Sequence, residues 1–489
     1  MELDEQHSDR TSTAGKKQLN THFLIMITED TICAIATARG GAIGVVRVSG
    51  TEAISIADKI FRGRKTLAEA KANSVVFGNI VDAERNIVDE VLVSVFRAPH
   101  SYTGEDSVEI SCHGSDYILQ TVMQLLIANG ARTAKAGEYT KRAFLSGKID
   151  LSQAEAVADL IASSSASTHR LALNQMRGGF SKELAQLREK LLKITSLLEL
   201  ELDFSEEDVE FADRIELRNL AATIEDRISY LTSSFKLGNA IKNGVPVAII
   251  GETNAGKSTL LNRLLNEERA IVSNIHGTTR DVIEETLNID GTIFRFIDTA
   301  GIRQTTDEIE RIGIERSFQK MDKAEIVLWL IDSTTFAGTD NEAMGDIARH
   351  CRDKKLAVLL NKSDSATENA VAQCADTIRR ALGDGIDIMS ISALENSGIE
   401  ELKQWLVTKA SIPQVNESDI IVTNLRHYEV LCKAGESIAK VRTALDLNIP
   451  GDLVAEDLNE TINILGEITG QISNDEVLGI IFKNFCVGK

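Results

Sequence analysis

Proline is scarce in this sequence of 489 residues, which contains only 4. Average usage is about 5%, so the scarcity predicts long helices and few rigid linkers. The 6 cysteines are scattered and form no Cys-x-x-Cys pair or Cys/His cluster. This pattern argues against a disulfide framework and against a structural zinc site, and it predicts a cytoplasmic protein in a reducing environment.

The sequence also lacks long apolar runs and a surplus of positive charge. No stretch approaches the roughly 18 consecutive apolar residues of a membrane span, so we expect no transmembrane segment and no membrane partner. Lys and Arg number 53 against 73 Asp and Glu, which leaves a formal net charge of −20. A chain this acidic is repelled by phosphate backbones, so a local patch or a partner subunit must meet any nucleic acid.

The remaining composition is that of an ordinary globular protein, long enough for about three domains. Hydrophobic residues make up 43% of the chain and charged residues 26%. The polar residues 1–29 predict a disordered tail without function. Met26 is a candidate natural start, because the orderly sequence begins just after it.

The hydrophobic period changes along the chain and predicts four segments after this tail. The pattern of residues 30–146 predicts short strands separated by glycines, together with one helix. This combination is typical of an α+β domain. Residues 147–243 are helical, strands alternate with helices over 244–410, and helices return over 411–489. The simplest interpretation is a helical domain split by an inserted α/β domain. The helical period is clearest in six residues of one helix face, Leu184, Leu187, Leu191, Ile194, Leu198 and Leu202.

A phosphate-binding loop stands at the start of the α/β segment. The apolar strand VPVAIIG runs directly into GETNAGKS, which a helical run, TLLNRLL, follows. Strand, Gly-rich loop and helix in this order cradle phosphate, because backbone N–H groups turn inward at the glycines. In this pattern Lys257 reaches the β- and γ-phosphates, and the Ser258 hydroxyl ligates Mg²⁺. The other predicted contacts of the loop are Asn254, Ala255, Gly256 and Thr259.

Three further strings end predicted strands in the order found in GTPases. The acid of DTAG holds Mg²⁺ through water, and its glycine amide senses the γ-phosphate. The acid of NKSD accepts two hydrogen bonds from guanine N1 and N2, which adenine cannot reciprocate. A backbone N–H of SAL faces guanine O6, so the four strings together predict a GTPase that binds GTP rather than ATP. The three strings comprise Asp298, Thr299, Ala300, Gly301, Asn361, Lys362, Ser363, Asp364, Ser392, Ala393 and Leu394.

Two departures from the Ras pattern bear on hydrolysis. Ile302 follows DTAG where Ras-like proteins carry the Gln that orients the attacking water, so another group must position it. Asn254 offers a side-chain oxygen that could hold K⁺ against the phosphates, which would supply the charge of an arginine finger. In the alternative, Asn254 only braces its own loop. A second Mg²⁺ and γ-phosphate contact region is predicted in SNIHGTTRDV, over Ser273, Asn274, Ile275, His276, Gly277, Thr278 and Thr279.

Three reactive side chains have no assigned chemistry from their neighbours in sequence. His113 and His276 lie beside glycines without a partner at catalytic spacing, and we assign them no catalysis. Two interpretations of Cys486 stay open. It is either a buried small hydrophobe or a thiol nucleophile that needs a nearby base.

These strings together resemble the tRNA modification GTPase MnmE (TrmE) family over nearly the whole chain, from about residue 30 to residue 489. The most specific strings are TKRAFLSGKIDLSQAEAV and the terminal FCVGK. GGAIGVVRVSG and YTGEDSVEISCHG in the N-terminal segment also carry the resemblance, whereas many GTPases share the strings of the α/β segment. The resemblance implies an α/β and α multi-domain fold. Its parts are an α+β N-terminal domain for tetrahydrofolate binding and dimerisation, a helical domain, and an inserted Ras-like P-loop GTPase domain.

The resemblance also implies a reaction. With a flavin-dependent partner of the MnmG (GidA) family, in a heterotetramer or larger complex, such an enzyme modifies certain tRNAs. It adds an aminomethyl or carboxymethylaminomethyl group to C5 of the wobble uridine, and the one-carbon unit comes from a formyl or methylene tetrahydrofolate. The enzyme is a homodimer, and K⁺-dependent approach of its two GTPase domains switches on hydrolysis.

Matching positions in the family strings imply the ligands of each group. The folate-binding residues are Arg47, Glu109, Lys148 and Lys489. The Mg²⁺ ligands are Ser258 and Thr279. The K⁺ ligands are Asn254, Ser273, Ile275 and Thr278. The catalytic residues are Lys257 and Glu285, an acid that helps to position water in place of the missing Gln, and Cys486 is a candidate for the tRNA modification step.

A ribosome-assembly GTPase that binds rRNA is the alternative hypothesis. Its relatives usually append a basic RNA-binding module after the GTPase domain. Here the sequence after Ala410 is helical and acidic, without a basic stripe, which counts against this alternative. A dynamin-like GTPase on membranes would need an amphipathic basic segment, which we do not find.

Overall fold

The structure is a computed structural model of the chain. It describes residues 30–203, 214–266, 285–297, 321–336, 341–383, 385–413, 416, 419–471, 475–483, 485 and 488. The chain divides into two compact units. Unit 1 consists of Met1–Ala158, Met176–Ala185 and Leu465–Lys489, and unit 2 consists of Asp159–Gln175 and Gln186–Ile464. The domain boundaries expected near residues 146, 243 and 410 stay a prediction.

The strands belong to two sheets. The strands of unit 1 are β1 (Ile32–Ile35), β2 (Ile43–Ser49), β3 (Phe61–Gly63), β4 (Ser74–Val81), β5 (Ile87–Phe96), β6 (Ser107–His113) and β7 (Arg132–Thr133). Those of unit 2 are β8 (Val245–Gly251), β9 (Glu285–Ile289), β10 (Thr292–Phe296), β11 (Ile326–Asp332), β12 (Lys355–Asn361) and β13 (Asp387–Ser390).

Helices follow in both units and continue past both sheets. Up to the second sheet they are α1 (Ala53–Ile60), α2 (Asp116–Ala128), α3 (Glu138–Leu145), α4 (Leu151–Ala162), α5 (Ala166–Met176), α6 (Gly179–Asp203) and α7 (Arg214–Asn243). The rest are α8 (Lys257–Asn266), α9 (Asn341–His350), α10 (Glu368–Leu382), α11 (Ile399–Ala410), α12 (Leu425–Asp446), α13 (Gly451–Thr469) and α14 (Asp475–Lys483). No described helix has the length and apolarity needed to cross a membrane.

The sheet of unit 1 has the strand order β3-β4-β5-β6-β2-β1-β7, antiparallel except for the β1–β7 pair. Its strands alternate buried and exposed residues, as expected for a sheet with one covered face. Helices α1 and α2 cover that face, and their apolar residues join those of the strands in one core. The other face is covered only in part, by Tyr139 of α3 against Ile32 and Ala34. Beside it, Leu151 of α4 packs with Phe482 of α14.

A buried cluster of charges holds α3 to the start of the sheet. The side chain of Arg142 is 1% exposed and contacts the carboxylates of Asp30, Glu105 and Glu138 at 2.6, 3.0 and 3.2 Å. Burial raises the pKa of Glu105, although Arg142 acts against it. Burial would raise the pKa of Asp30 too, but hydrogen bonds from Arg132 and Arg142 outweigh it and lower that pKa. The cluster therefore depends on Arg142 for its charge balance.

The sheet of unit 2 has the order β13-β12-β11-β8-β10-β9, in which only the β9–β10 pair is antiparallel. Apolar clusters cover both faces, so strands such as β11 are almost continuously buried. This is the usual environment of a parallel sheet with helices on each side. The carboxyl ends of β8, β11, β12 and β13 consequently meet at one edge, which is where such sheets bind ligands.

Long helices form the rest of unit 2. Helix α12 packs along α7, where the rings of Phe235 and Tyr428 stack with centroids 4.5 Å apart. On α6, five of the six residues of the predicted leucine-rich face are buried, and the side chain of Leu202 lies outside the described residues. The predicted multi-domain fold class, helices combined with mixed sheets, is confirmed.

We predict that Arg142→Ala destabilises unit 1 by about 3 kcal/mol, because it leaves the buried carboxylate of Glu105 without its arginine and removes one of the two arginines that contact Glu138. Hydrogen exchange of the β1 and β2 amides in the full chain measures this change. The control is Arg64→Ala, at an exposed position of the same unit, which should stay within about 0.5 kcal/mol. Equal protection in the two variants would contradict the prediction.

Candidate functional site

The phosphate loop lies between a central strand of the second sheet and a helix. β8 ends at Gly251, and α8 begins at Lys257, so the loop spans five residues. A glycine stands at each end of the loop, and any larger residue at either position would clash with a neighbouring strand. A Cβ atom on Gly251 would lie 2.3 Å from the Leu330 carbonyl oxygen, and one on Gly256 would lie 2.2 Å from Asn361 Nδ2. Both also have positive φ angles, which favour glycine.

Lys257 points back over this loop. Its Nζ donates to the carbonyl oxygens of Gly251 and Glu252, each at 2.7 Å. The ammonium group is thus held beside the N-terminus of α8, where free N–H groups and the helix dipole already favour an anion. Ser258 and Thr259 occupy the first turn of the same helix, so their hydroxyls lie at the same helix end.

The side chain of Asn361 connects the phosphate loop to the loop after β13. Its Nδ2 donates to the Ala255 carbonyl oxygen at 2.7 Å, and its Oδ1 accepts from the Ala393 N–H at 3.0 Å. Asn361 is the last residue of β12 and is 3% exposed. The first residue of NKSD therefore organises the site from within, and it uses both ends of its amide to do so.

A hydrogen bond from Ser392 orients the carboxylate of Asp364, the predicted guanine contact. The Ser392 hydroxyl donates to its Oδ1 at 2.5 Å, and this hydrogen bond is the main cause that lowers the pKa of Asp364. The carboxylate therefore stays charged and acts only as an acceptor, as the N–H groups of guanine require. The neighbouring Lys362 is fixed by Asp332, whose Oδ2 lies 2.6 Å from its Nζ.

Of the predicted nucleotide contacts, the structure brings together those of GETNAGKS, NKSD and SAL. The predicted contacts Ser273, Asn274, Ile275, His276, Gly277, Thr278, Thr279, Asp298, Thr299, Ala300 and Gly301 lie outside the described residues. Glu285 is the first residue of β9 and pairs with Phe296 on β10. In the sequence, DTAG begins two residues after Phe296, but its residues lie outside the part of the chain that the structure describes.

A second candidate site lies on the partly covered face of the first sheet. Arg47 on β2 and Glu109 on β6 are direct cross-strand partners, and Arg47 Nη2 lies 2.8 Å from Glu109 Oε1. Both side chains remain partly exposed, at 22% and 30%. Arg47 Nη1 also donates to the Gly488 carbonyl oxygen at 3.4 Å, so the last turn of the chain reaches this pair.

Two tyrosines that the sequence analysis missed flank the Arg47 guanidinium. The rings of Tyr102 and Tyr139 lie 5.8 and 5.6 Å from its Cζ, within cation–π range. The Tyr139 hydroxyl also donates to the Arg47 carbonyl oxygen at 2.8 Å. Tyr102 stands in YTGED and Tyr139 in GEYTKR, but neither string indicates that the two rings meet at Arg47.

Lys148 lines a cavity of about 420 Å³ in the same unit. The cavity is bounded by Phe144, Gly147, Lys148, Ile149, Asp150, Gln153, Thr469, Gly470 and Gln471. The Lys148 stem also packs beside Gly104, two residues after Tyr102. Lys489 and Cys486 lie outside the described residues, although Gly488 contacts Arg47.

The structure supplies a partner for His113 that its sequence neighbours do not show. Asp89 Oδ1 lies 2.7 Å from His113 Nδ1, and Oδ2 accepts from the His113 backbone N–H at 2.8 Å. The two residues belong to different strands, so no local spacing could reveal the pair. The pair connects the ends of β5 and β6, and we assign it no catalysis.

Known proteins resemble this chain over nearly its whole length. The family profile described as MnmE helical domain matches residues 151–486, and the one described as GTP-binding protein TrmE N-terminus matches residues 31–148. A tRNA modification GTPase MnmE of Bacteroides thetaiotaomicron is 60% identical over 464 residues, 94% of this chain and 100% of that protein. The protein of the same name from Flavobacterium johnsoniae is 51% identical over 470 residues, 95% and 100% of the two chains.

We predict that Gly256→Ala weakens GDP binding by at least about tenfold, because its Cβ would push the Asn361 amide off the Ala255 carbonyl. The dissociation constant is measured by titration with a fluorescent GDP analogue. Gly345→Ala is the control, since no described atom outside its own helix backbone lies within 4 Å of its Cβ position in α9. Wild-type affinity in Gly256→Ala would show that the Asn361 bridge does not shape the site.

Proposed function

Because the chain belongs to the MnmE family of tRNA modification GTPases, we propose that its GTP hydrolysis serves one modification, at the wobble uridine of certain tRNAs. The resemblance drawn from the sequence motifs is confirmed, and the chain is a GTP hydrolase that acts in tRNA modification. With a flavin-dependent partner of the MnmG (GidA) type, it installs an aminomethyl or carboxymethylaminomethyl group at C5. The supporting observation is the Arg47–Glu109 site, which a simple GTPase switch does not need.

The Arg47–Glu109 site suits a tetrahydrofolate that carries a formyl or methylene group. A pterin ring presents an amino group and ring N–H groups to a carboxylate such as Glu109, and acceptors to a guanidinium such as Arg47. The Tyr102 and Tyr139 rings and the Glu109 carboxylate restrict the Arg47 side chain, so binding costs little rotamer entropy. Lys148, and Lys489 next to Gly488, would pair with the folate carboxylates.

Exposed apolar residues of the first sheet support a homodimer through this sheet. Val75, Phe77 and Leu92 are 62%, 63% and 50% exposed, and Phe77 and Leu92 are direct cross-strand partners. Leu92 pairs with Ser111, which lies two residues from Glu109 on β6. By strand alternation the apolar residues and the Arg47–Glu109 pair face the same side of the sheet. A second copy on this face would bury the patch, as closed dimers commonly do.

In the GTPase site, each part of the nucleotide has a matching group. Lys257 and the N-terminus of α8 bind the β- and γ-phosphates, and Asp364 accepts from guanine N1 and N2. Mg²⁺ would be held by Ser258 and Thr279 and would neutralise the charge between these phosphates. A hydroxyl at a helix N-terminus beside a phosphate loop is a fitting donor for that ion. Glu285, at the start of β9, would orient the attacking water in place of a Gln.

K⁺ fits the exposed Asn254 in this loop. Among the described residues, its side chain makes no hydrogen bond that would brace the loop, and its φ of 63° is one that Asn tolerates. Its amide oxygen can therefore serve an ion, together with Ser273, Ile275 and Thr278 from the following loop. When bound, the ion would supply positive charge beside the phosphates, as an arginine finger does.

The proposed architecture keeps the four expected segments. Residues 30–146 bind folate and dimerise, 147–243 and 411–489 form the helical domain, and 244–410 form the GTPase domain. The net charge of −20 requires that tRNA is met by a local patch or by the partner protein, which fits a heterotetramer or larger complex. We place this assembly in the cytoplasm.

We predict that tRNA from a strain without this gene lacks 5-aminomethyl-type wobble uridines, and that the wild-type gene restores them. Arg47→Met should fail to restore them, because it removes the guanidinium from the folate site. Nucleoside mass spectrometry of total tRNA measures both outcomes. Arg39→Ala is the control, since its side chain is 70% exposed and, among the residues that the structure describes, makes only a 4.0 Å contact with Asp116.

The outcomes separate the two hypotheses. Intact wobble uridines in the deletion strain would contradict the modification function, and the ribosome-assembly GTPase would replace it. Restoration by Arg47→Met would remove Arg47 from the reaction but leave the modification function in place. GTP turnover of the purified variant, measured alongside, shows that it is folded.

We predict that GTP turnover is at least about tenfold faster in KCl than in NaCl at equal ionic strength, because K⁺ replaces the charge of an arginine finger. In Asn254→Ala this difference should disappear while the affinity for GDP is kept. Phosphate release at saturating GTP is the measurement. Equal turnover of the wild-type enzyme in the two salts would rule out K⁺ activation.

A further inference from the structure

Arg263 connects the phosphate-loop helix to the loop that follows β13. It lies on α8, six residues after Lys257, and its side chain is half-buried. Its Nε donates to the Ala393 carbonyl oxygen at 3.3 Å, and its Nη2 donates to the Leu394 carbonyl oxygen at 2.5 Å. One guanidinium therefore holds two successive carbonyls of SAL, a geometry that its planar fork permits.

The first of these bonds fixes the direction of a backbone donor. The Ala393 carbonyl and the Leu394 N–H belong to one planar trans peptide, so they point in opposite directions. With the carbonyl held by Arg263, the Leu394 N–H points away from α8. The Ala393 N–H is already bound to Asn361, whereas the Leu394 N–H has no acceptor within the part of the chain that the structure describes. Leu394 thus carries the free donor of SAL.

The second hydrogen bond, from Arg263 Nη2 to the Leu394 carbonyl oxygen, affects the residues that would bind guanine N1 and N2. The Leu394 carbonyl shares a peptide plane with the Glu395 N–H, which donates to Ser392 Oγ at 3.1 Å. That hydroxyl in turn donates to Asp364 at 2.5 Å. By holding this plane, Arg263 also supports the hydrogen bond that keeps the Asp364 carboxylate charged and oriented.

We propose that Arg263 is a positioning residue for guanine recognition. It does not touch the base, but it orients the Leu394 N–H toward guanine O6 and supports the Ser392–Asp364 pair that reads N1 and N2. The proposal rests on the nucleotide site proposed above and adds its base-reading geometry. Helix α8 also carries Lys257. The same helix therefore carries a group that binds the phosphates and, through Arg263, fixes the loop that reads the base.

Arginine suits these two carbonyls better than lysine does. A lysine ammonium can also donate to two successive carbonyls, as Lys257 does, but it is a single point on a flexible stem and fixes their directions less than a planar fork of N–H groups. Arg263→Lys is therefore expected to bind guanine nucleotides with an affinity between those of the wild type and Arg263→Ala.

The test compares GDP with the diphosphate of 2-aminopurine riboside, which lacks O6 and the N1–H but keeps the 2-amino group, the ribose and the phosphates. Arg263→Ala should bind GDP about tenfold more weakly, which corresponds to about 1.4 kcal/mol. Its affinity for the 2-aminopurine nucleotide should fall by a smaller factor, because this base makes only the contact of the 2-amino group with Asp364. In turnover, KM for GTP should rise about tenfold while kcat at saturating GTP falls much less. The matched control is Asn262→Ala, at the preceding, exposed position of α8.

Each outcome decides the proposal. An equal loss of affinity for both nucleotides would show that Arg263 only braces the site, and unchanged GDP affinity would show that it does nothing there. Either result overturns the proposal. Retained affinity for the 2-aminopurine nucleotide shows that a variant is folded.

A separate variant tests the underlying site. Asp364→Asn should exchange the preference for GDP for one for xanthosine diphosphate, because an amide can donate to the xanthine 2-oxo group. If that exchange fails, the proposed base site is wrong and the role of Arg263 falls with it. If the exchange succeeds and the GDP to 2-aminopurine ratio is unaffected by Arg263→Ala, only the role of Arg263 is overturned.

Discussion

A single buried amide, that of Asn361, joins the two halves of the nucleotide site. Phosphate loops and base-reading loops lie at the ends of different strands, and neither has regular structure of its own to fix its shape. Asn361 satisfies one polar group of each loop, and both would otherwise be buried without a partner. The close approach of Gly256 follows from the same contact, since only a residue without a Cβ leaves room for this amide. Arg263 makes a second connection of this kind, from α8 to the loop after β13.

In the first unit, a cluster of charged side chains rather than an amide holds distant segments of the chain together. Its candidate site stands on two strands, but the groups behind it come from segments distant in sequence. Arg142 connects α3 to Asp30 and Glu105, and Tyr139 on the same helix binds the backbone of Arg47. A buried ion pair contributes little net stability, but its loss is costly, so such a cluster defines one arrangement of these segments. The Arg47–Glu109 pair can then stay partly open to solvent.

The sequence predicted most of the nucleotide site because parallel sheets impose a rule. Each of GETNAGKS, NKSD and SAL follows or ends an apolar run, and the carboxyl ends of parallel strands meet at one edge. No such rule led to the pairing of Arg47 with Glu109, which are 62 residues apart and depend on strand register. The family resemblance nominated both residues, but it did not nominate Tyr102 or Tyr139. Arg263 was passed over for a different reason, since an arginine in an amphipathic helix looks like an ordinary surface residue.

The contact between Arg47 and Gly488 has a consequence for biosynthesis. Unit 1 is assembled from three segments, of which the first ends at Ala158 and the last begins at Leu465, with about 300 residues between these two points. A ribosome that adds about 5–20 residues per second needs roughly 15–60 s to cross that interval. Throughout it, Phe144 and Leu151 lack the apolar surface of α14 that later covers them. The nascent chain therefore exposes these hydrophobic side chains until α14 has been synthesised.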